Sequence, residues 1–361
     1  MNRRQFLLSA AAPVLLPACA SGKGSDYEKA ARATWRHGTG NPVGLHARQS
    51  ELVRYATLAP SSHNTQCWQF KLGANRISIL PDRSRRCPAV DPDNHHLYVS
   101  LGCAAENLAQ AANAAGLHSE ITFDAAADAV NIDLSPAPLL RSVLFEAIPQ
   151  RQCTRSDYDG RIIPTAELKL LEQQASGNGV RVILFNGAPQ REEILDYVTR
   201  GNSAQMADDA FVTELKHWIR FNATDAIASG DGLYAPATGN PALPHWLGPA
   251  LMSLFYTQGH ENDKNARQLR SSSGVAVFVS TQDDKSHWVE TGRCYQRFAL
   301  QATVLGLCNA LINQPVEVAA LRPQFAAYLG LHGGRPDLVV RFGYGPAMPR
   351  SLRRPVDDVL V

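Results

Sequence analysis

Two Ala-rich stretches constrain this chain more than any other feature. Leu97 to Ala115, followed by Gly116, and Val289 to Leu311 both read as long buried helices. An offset of 190 lays Gly102, Ala109, Ala112, Gly116 and Leu117 on Gly292, Ala299, Ala302, Gly306 and Leu307, with small residues on one face. Each helix is expected to start and stop at its pair of glycines. A tandem duplication explains this economically, the alternative being a chance likeness of two Ala-rich helices. Small residues at this spacing let two helices approach closely. The expected fold is α+β, with residues 45–135 and 136–361 as two halves forming a pseudo-dimer around the helix pair. A chain that buries this surface against itself is expected to be a monomer.

The remaining periodicity fills in both halves. Ser50 to Leu58 reads as a helix, then Trp68 to Leu72 and Ile77 to Leu80 as a hairpin turning at Gly73 to Arg76. Ile121 to Phe123 and Val130 to Ile132 read as further strands. In the second half, Thr165 to Gln174, Gln190 to Thr199 and Ala207 to Phe221 read as helices, and Val180 to Phe185, Val275 to Val279 and Val339 to Phe342 as strands. Residues 201–265 have no counterpart in the first half and are expected to be an insertion, of the kind that serves as a lid.

Residues 1–18 differ in kind. Arg3-Arg4 precede an apolar run from Phe6 to Ala18, shorter than the roughly 20 residues a bilayer-spanning helix needs. This is a signal-peptide pattern, and Arg3-Arg4 with Phe6 and Leu7 resembles the twin-arginine export signal. Leu16-Pro17-Ala18-Cys19 resembles a lipobox, in which Cys19 would carry the lipid; a plain secretory signal with an incidental Cys is the alternative. The expectation is an exported, periplasmic chain, lipid-anchored at the membrane, with 19–44 as a tether of little structure.

Composition excludes more than it asserts. The chain of 361 residues carries 35 basic and 33 acidic residues, and losing Arg3 and Arg4 with the leader would leave the two equal. Nucleic-acid binding usually needs a clustered basic excess, so no nucleic-acid partner is expected. There is no C-x-x-C, H-E-x-x-H, G-x-S-x-G or G-x-G-x-x-G motif, so neither a metal site nor the simplest hydrolase and dinucleotide folds are expected. The six cysteines after Cys19 are widely spaced and are expected to be reduced, packed thiols.

Two polar segments carry the chemistry. Ala59 to Trp68 offers Ser61, Ser62 and Asn64 on a turn between helix and strand, with Gln66 and Trp68 anchoring it from behind. Such a turn suits a polyhydroxylated or heteroaromatic ligand, or satisfies only its own backbone. In Ile148 to Ser156, Arg151 and Arg155 flank Cys153 and Thr154; this pair can clamp a phosphate with charge-assisted bonds, or form a solvated basic turn.

The first segment resembles the P-S-S-x-N-x-Q-P-W loop of the FMN-dependent nitroreductase family, with Cys67 in place of the proline that would have fixed φ. Arg151, Cys153 and Arg155 match that family's R-x-S-x-R phosphate motif, with Cys in the Ser position. Arg353, two before Pro355, matches its FMN-contacting arginine, while Ser351 stands where a lysine is common. Asn265 is a looser match to a ring-contacting Asn. Together with the leader and the repeat, these segments resemble the Acg-type branch of the family over nearly the whole chain after the leader.

The resemblance implies a nitroreductase-like fold and FMN held by Ser61, Ser62, Asn64, Gln66, Arg151, Cys153, Arg155 and Arg353. Arg85 falls outside that set. The loop sits in the first half and the arginine motif in the second, so one site per chain is implied. No side chain is assigned as catalytic, because the cofactor would carry the chemistry. The implied activity is an FMN oxidoreductase passing electrons from an unidentified donor to a flat small-molecule acceptor such as a nitroaromatic or quinone. The alternatives are a non-catalytic, flavin-sequestering lipoprotein, or a lipoprotein for another phosphorylated ligand.

Overall fold

The computed structural model describes residues 21–40 and 42–361; the leader expected at 1–18 and the lipobox Cys19 lie outside them. The first half opens with helix α1 (Ser21–Thr34) and helix α2 (Leu45–Thr57). Strands β1 (Trp68–Leu72) and β2 (Arg76–Pro81) form the expected hairpin, tightened by Gly73 N–H donating to the Arg76 carbonyl (2.8 Å). Helix α3 (His95–Ala114) leads to β3 (Leu117–Asp124) and β4 (Ala129–Pro136), and the four strands form an antiparallel sheet in the order β1-β2-β4-β3.

The second half repeats this plan with one large difference. After α4 (Val143–Ala147) and α5 (Thr165–Gln174) comes β5 (Val180–Phe185). Where the first half makes its hairpin turn, the chain instead runs through α6 (Ala188–Met206), α7 (Asp209–Trp218), β6 (Ile219–Arg220), α8 (Ala223–Ser229), β7 (Leu233–Tyr234), α9 (Gly248–Phe255) and α10 (Gln258–Arg270). It then forms β8 (Gly274–Ser280), α11 (Lys285–Val304), β9 (Cys308–Leu311), α12 (Gln314–Glu317), α13 (Arg322–Tyr328) and β10 (Arg335–Gly343). The second sheet is also antiparallel, in the order β5-β8-β10-β9. Strands one to four of each half therefore occupy the same sheet positions. The connection from β5 to β8 is wider than the insertion expected at 201–265, since α6 and α10 belong to it.

The two long helices meet as their glycines foretell. Both have 20 residues, starting at His95 and Lys285 and ending at Ala114 and Val304, and each stops at a left-handed glycine, Gly116 (φ 75°) and Gly306 (φ 70°). Gly102 and Gly292 do not start the helices, as expected from sequence, but lie inside them at the crossing. A Cβ on Gly102 would overlap the Val289 carbonyl, and one on Gly292 would overlap the Val99 carbonyl, so the contact is reciprocal between equivalent positions. Backbone meets backbone there, which no side chain larger than hydrogen permits. Around the crossing, Leu101, Ala105 and Leu108 of α3 share one buried core with Phe298, Ala299 and Ala302 of α11. Buried Glu106 binds Arg297 (2.9 Å) and Arg293 (3.4 Å) across it.

Two further expectations fail. The second long helix does not continue to Leu311, because Gly306 ends it and 308–311 pair with β10 as an edge strand. Nor are the described residues of the 19–44 stretch a tether of little structure: α1 buries Tyr27, whose ring stacks on Tyr234 (centroids 4.1 Å) and whose hydroxyl donates to the Arg350 carbonyl (2.6 Å). No described helix is long and apolar enough to cross a membrane.

Candidate functional site

The loop between α2 and β1 is strained. His63, Asn64 and Gln66 all take left-handed φ (47°, 54° and 53°), which costs non-glycine residues roughly 1–3 kcal/mol each and persists only where surroundings enforce it. The surroundings are identifiable. Ser61 Oγ accepts from Gln66 N–H (2.9 Å), Asn64 Nδ2 donates to the Gly232 and Leu352 carbonyls (3.0 and 3.2 Å), and Gln66 Nε2 donates to the Gly230 carbonyl (3.0 Å). Gln66 Oε1 accepts from Arg354 N–H (2.9 Å), and Asn64 Oδ1 from Arg353 (2.9 Å). The β5–β8 connection and the chain's tail thus clamp this loop from outside the first half. Arg85, placed outside the site from sequence, donates to the Thr65 carbonyl and pairs with Asp231, so it belongs to the clamp.

The loop faces a cleft walled by Pro60, Ser61 and Asn64 on one side and by Arg151, Gln152, Cys153 and Arg155 on the other, with Arg350 and Arg353 from the tail. The second wall is fixed to the sheet edge: Cys153 bridges Asn309 of β9, and Thr154 N–H donates to the Asn309 carbonyl (2.8 Å). Of the residues named from sequence, Ser61, Asn64, Arg151, Cys153, Arg155 and Arg353 line this cavity, and Ser62 lines the adjoining one. Gln66 does not reach either. It is fully buried, and its amide is spent holding the loop, so its part is to position Asn64 and Ser61.

The electrostatics are one-sided. None of Arg151, Arg155, Arg350 and Arg353 forms an ion pair with a described carboxylate. Arg151 is 2 % exposed and donates Nη2 to the Leu58 carbonyl (2.9 Å), while its Nε and Nη1 have no partner. Arg353 is held by the Thr57, Leu58 and Ala59 carbonyls; burial, then the neighbouring charges of Arg151 and Arg350, push its pKa down to about 9. Burial likewise lowers Arg350, whose guanidinium donates to the Pro149 and Gln150 carbonyls. The Arg155 carbonyl accepts from Gln268 Nε2 (2.6 Å), but its guanidinium has no hydrogen-bond partner among the described residues. Buried cations without a counter-ion are costly, so the cavity favours an anion strongly.

Trp35 closes this cavity and was not legible as a site residue. Its ring lies under Arg151, Arg350 and Arg353 at 5.7, 5.1 and 4.8 Å, and its Nε1 donates to the Ser351 carbonyl (2.8 Å). A lone tryptophan in an otherwise polar stretch was the available signal. A second cavity adjoins the first, sharing Ser61, Arg155, Leu233 and Leu311 with it. The β5–β8 connection covers it with Phe211, Leu215, Tyr256 and Lys264, and Asn265 lines it. Burial lowers the pKa of Lys264, which faces Glu261 at 3.6 Å, and pushes that of His63 down to about 4. All six described cysteines are free.

No family model matches the chain. It is 24 % identical over 341 residues to the candidate NAD(P)H nitroreductase Rv3131 of Mycobacterium tuberculosis, spanning 88 % of this chain and 93 % of that protein. The candidate NAD(P)H nitroreductase acg of the same organism is 25 % identical over 332 residues, 85 % of this chain and 93 % of its own. A nitroreductase structure with bound FMN from Desulfitobacterium hafniense aligns with 60 % of this chain and 96 % of that one, at 14 % identity and a TM-score of 0.38. The near end-to-end sequence similarity makes this α+β chain a distant homologue of these two mycobacterial proteins.

Proposed function

We propose that the chain binds FMN in the arginine-lined cleft and works as a flavin oxidoreductase of nitroreductase type, reducing a flat acceptor such as a nitroaromatic or quinone. The observation that carries this reading is the meeting of four unpaired arginines, one with two orphaned buried nitrogens, opposite the strained Ser61–Asn64 loop. The residues fit the cofactor: Arg151 Nε and Nη1 and the free guanidinium of Arg155 would take its phosphate, and Ser61 and Ser62 face the space beside it. FMN, when bound, supplies hydride and electron transfer that no side chain here provides. The chain's own part is to hold, orient and cover. The second cavity lies next to the first, where an acceptor would approach, and Phe211, Leu215 and Tyr256 give it an apolar wall.

The equivalent sheets and the reciprocal glycine crossing support a tandem pseudo-dimer within one chain, hence a monomer with one flavin. Export by a twin-arginine leader with a lipid on Cys19 completes the proposal, and places the chain where an electron donor other than free nicotinamide nucleotide is needed. The cover from the β5–β8 connection also favours a second reading, storage of FMN without turnover.

The test is optical. Purified protein should be yellow; colour lost on adding NAD(P)H or dithionite and restored by a nitroaromatic or quinone under anaerobic conditions supports the oxidoreductase. Colour that an added acceptor cannot restore supports storage. A colourless protein that takes up no FMN sinks both.

A further inference from the structure

We propose that His63, Cys87 and Glu214 form a site for one divalent borderline transition metal of the Zn²⁺ class, clasping the loop to the cover. One ligand atom of each lies within 4.8 Å of the others. His63 Nδ1 and Cys87 Sγ are 3.6 Å apart. A tetrahedral centre with metal–sulfur and metal–nitrogen bonds of about 2.3 and about 2.05 Å has an S···N edge of about 3.6 Å, so this pair already has the spacing of two ligands on one ion. A thiol hydrogen bond to the imidazole would explain that pair alone. It does not explain why a carboxylate from another element is brought to the same point.

Glu214 stands on α7, and its oxygens are fixed by Ala89 and Val90 N–H (2.9 and 3.2 Å) in the turn just beyond Cys87. Each oxygen keeps a lone pair, and such outer hydrogen bonds are what orient a ligating carboxylate. With Cys87 ionised, its proton passing to solvent, thiolate and carboxylate balance the charge of a divalent ion, which a buried site requires. His63 lines the second cavity, leaving the fourth position to water from that side. The other compact cluster, Asp91 with His95 and His96, contrasts with this one. Asp91 caps the His96 and Leu97 N–H groups, and the two rings are engaged by Asp337 and Asn313. The three ligands of the proposed site come from separate segments, beyond the reach of a spacing motif, which is why the sequence promised no metal.

The metal would join the 61–66 loop, the 87–90 turn and α7, so its loss should loosen the cover. The inference does not depend on flavin binding. The reduced, chelator-stripped full chain, titrated with Co²⁺, should bind one ion and show a thiolate-to-cobalt charge-transfer band in the near ultraviolet. Zn²⁺ should displace it and raise Tm. Cys87→Ser should lose the band and the Tm response, Glu214→Gln should weaken binding roughly ten- to hundredfold, and Cys308→Ser should retain both. Should Cys87→Ser fail to fold, His63→Gln carries the same test. A wild-type chain without the band, or a band that survives in folded Cys87→Ser or His63→Gln, overturns the site.

Discussion

The helix-to-strand junction is built twice in this molecule, once as a strained polar loop and once as a plain turn. Between α2 and β1 it is the strained Ser61–Gln66 loop, facing four arginines that no carboxylate neutralises. Between α5 and β5 it is Ala175–Gly179, which closes on itself through a Gly177–Val180 bridge and borders a cleft that includes Asn178, Gly179 and Arg293. There Arg293 is already paired with Glu290 (2.7 Å) and Glu106 (3.4 Å). The scaffold around the two junctions is equivalent. What differs is charge balance: one cleft arrives with uncompensated cations and the other is neutralised by its own helices. The same architecture can thus stand on both sides while uncompensated cations are left on only one.

The largest effects should come from the part both halves share. Gly102→Val and Gly292→Val each push a side chain into the opposite helix's backbone, and each should cost more than about 3 kcal/mol, the upper end of overpacking, read as a Tm fall of at least roughly 4 °C in a chain of this length. The two falls should be similar. A large effect at one glycine and none at the other would break the equivalence of the halves. The same crossing implies that sedimentation of the chain from Ser21 onward should give a monomer with one FMN; a dimer built on these helices would contradict it.

The second sheet differs from the first in burying charge. Asp337 on β10 lies against His95 Nε2 (2.9 Å) and Ser280 N–H (2.8 Å), and burial raises its pKa to about 7 despite the bonds and the nearby Arg335. An acid whose folded pKa lies above its unfolded value stabilises the fold at low pH and loses that contribution as pH rises from about 4 through about 7. Asp337→Asn should therefore flatten the decline over this window, by about 1–3 kcal/mol between its ends. Urea midpoints of wild type and variant across pH check it as a difference, because burial lowers the pKa of His95 and this contributes the opposite trend over the same window; a variant whose pH dependence matches the wild type removes Asp337 as a source.

The two clefts should separate cleanly under charge removal. Arg155→Ala, which breaks no bond within the protein, should cost about 1.5–3 kcal/mol of FMN affinity, roughly ten- to hundredfold. Arg293→Ala should leave FMN affinity unchanged, as should Arg181→Ala on the exposed face of β5. Arg85 is not a usable control, because it holds Thr65 and Asp231. Equal losses at Arg155 and Arg293 would mean that charge balance does not distinguish the clefts.

Much of this was readable from the residues. The Gly102/Gly292 and Gly116/Gly306 pairs gave away the helix crossing, since only a backbone approach or a left-handed cap demands glycine at a matched position. The polarity of Ser61, Asn64, Arg151 and Arg155 singles them out, but that they stand on facing walls comes from the tertiary fold. What local pattern could not reveal was partnership across long separations. Gln66 looked like a ligand contact because its amide can bind many things, but its partners at Gly230 and Arg354 are fixed only by the tertiary fold. The edge strand 308–311 was absorbed into a helix because four residues pairing with one neighbour leave little periodicity.

Residues 21–36 are the plainest case of a segment whose role depends on its contacts, and they give the smallest expected effect. A polar stretch behind a leader reads as a tether, yet Trp35 lies under three cleft arginines and Tyr27 packs on Tyr234. A cation over an indole face contributes about 0.5–2 kcal/mol, more as water is excluded, so Trp35→Ala should loosen Arg350 and Arg353 without removing any charge. FMN affinity should fall about three- to tenfold, with Tm nearly unchanged. Trp35→Phe, which keeps an aromatic face but loses the bond to the Ser351 carbonyl, should recover part of it. A tether would make both substitutions silent, and equilibrium titration of FMN into the two variants decides between a segment that merely connects and one that forms the cleft's outer wall.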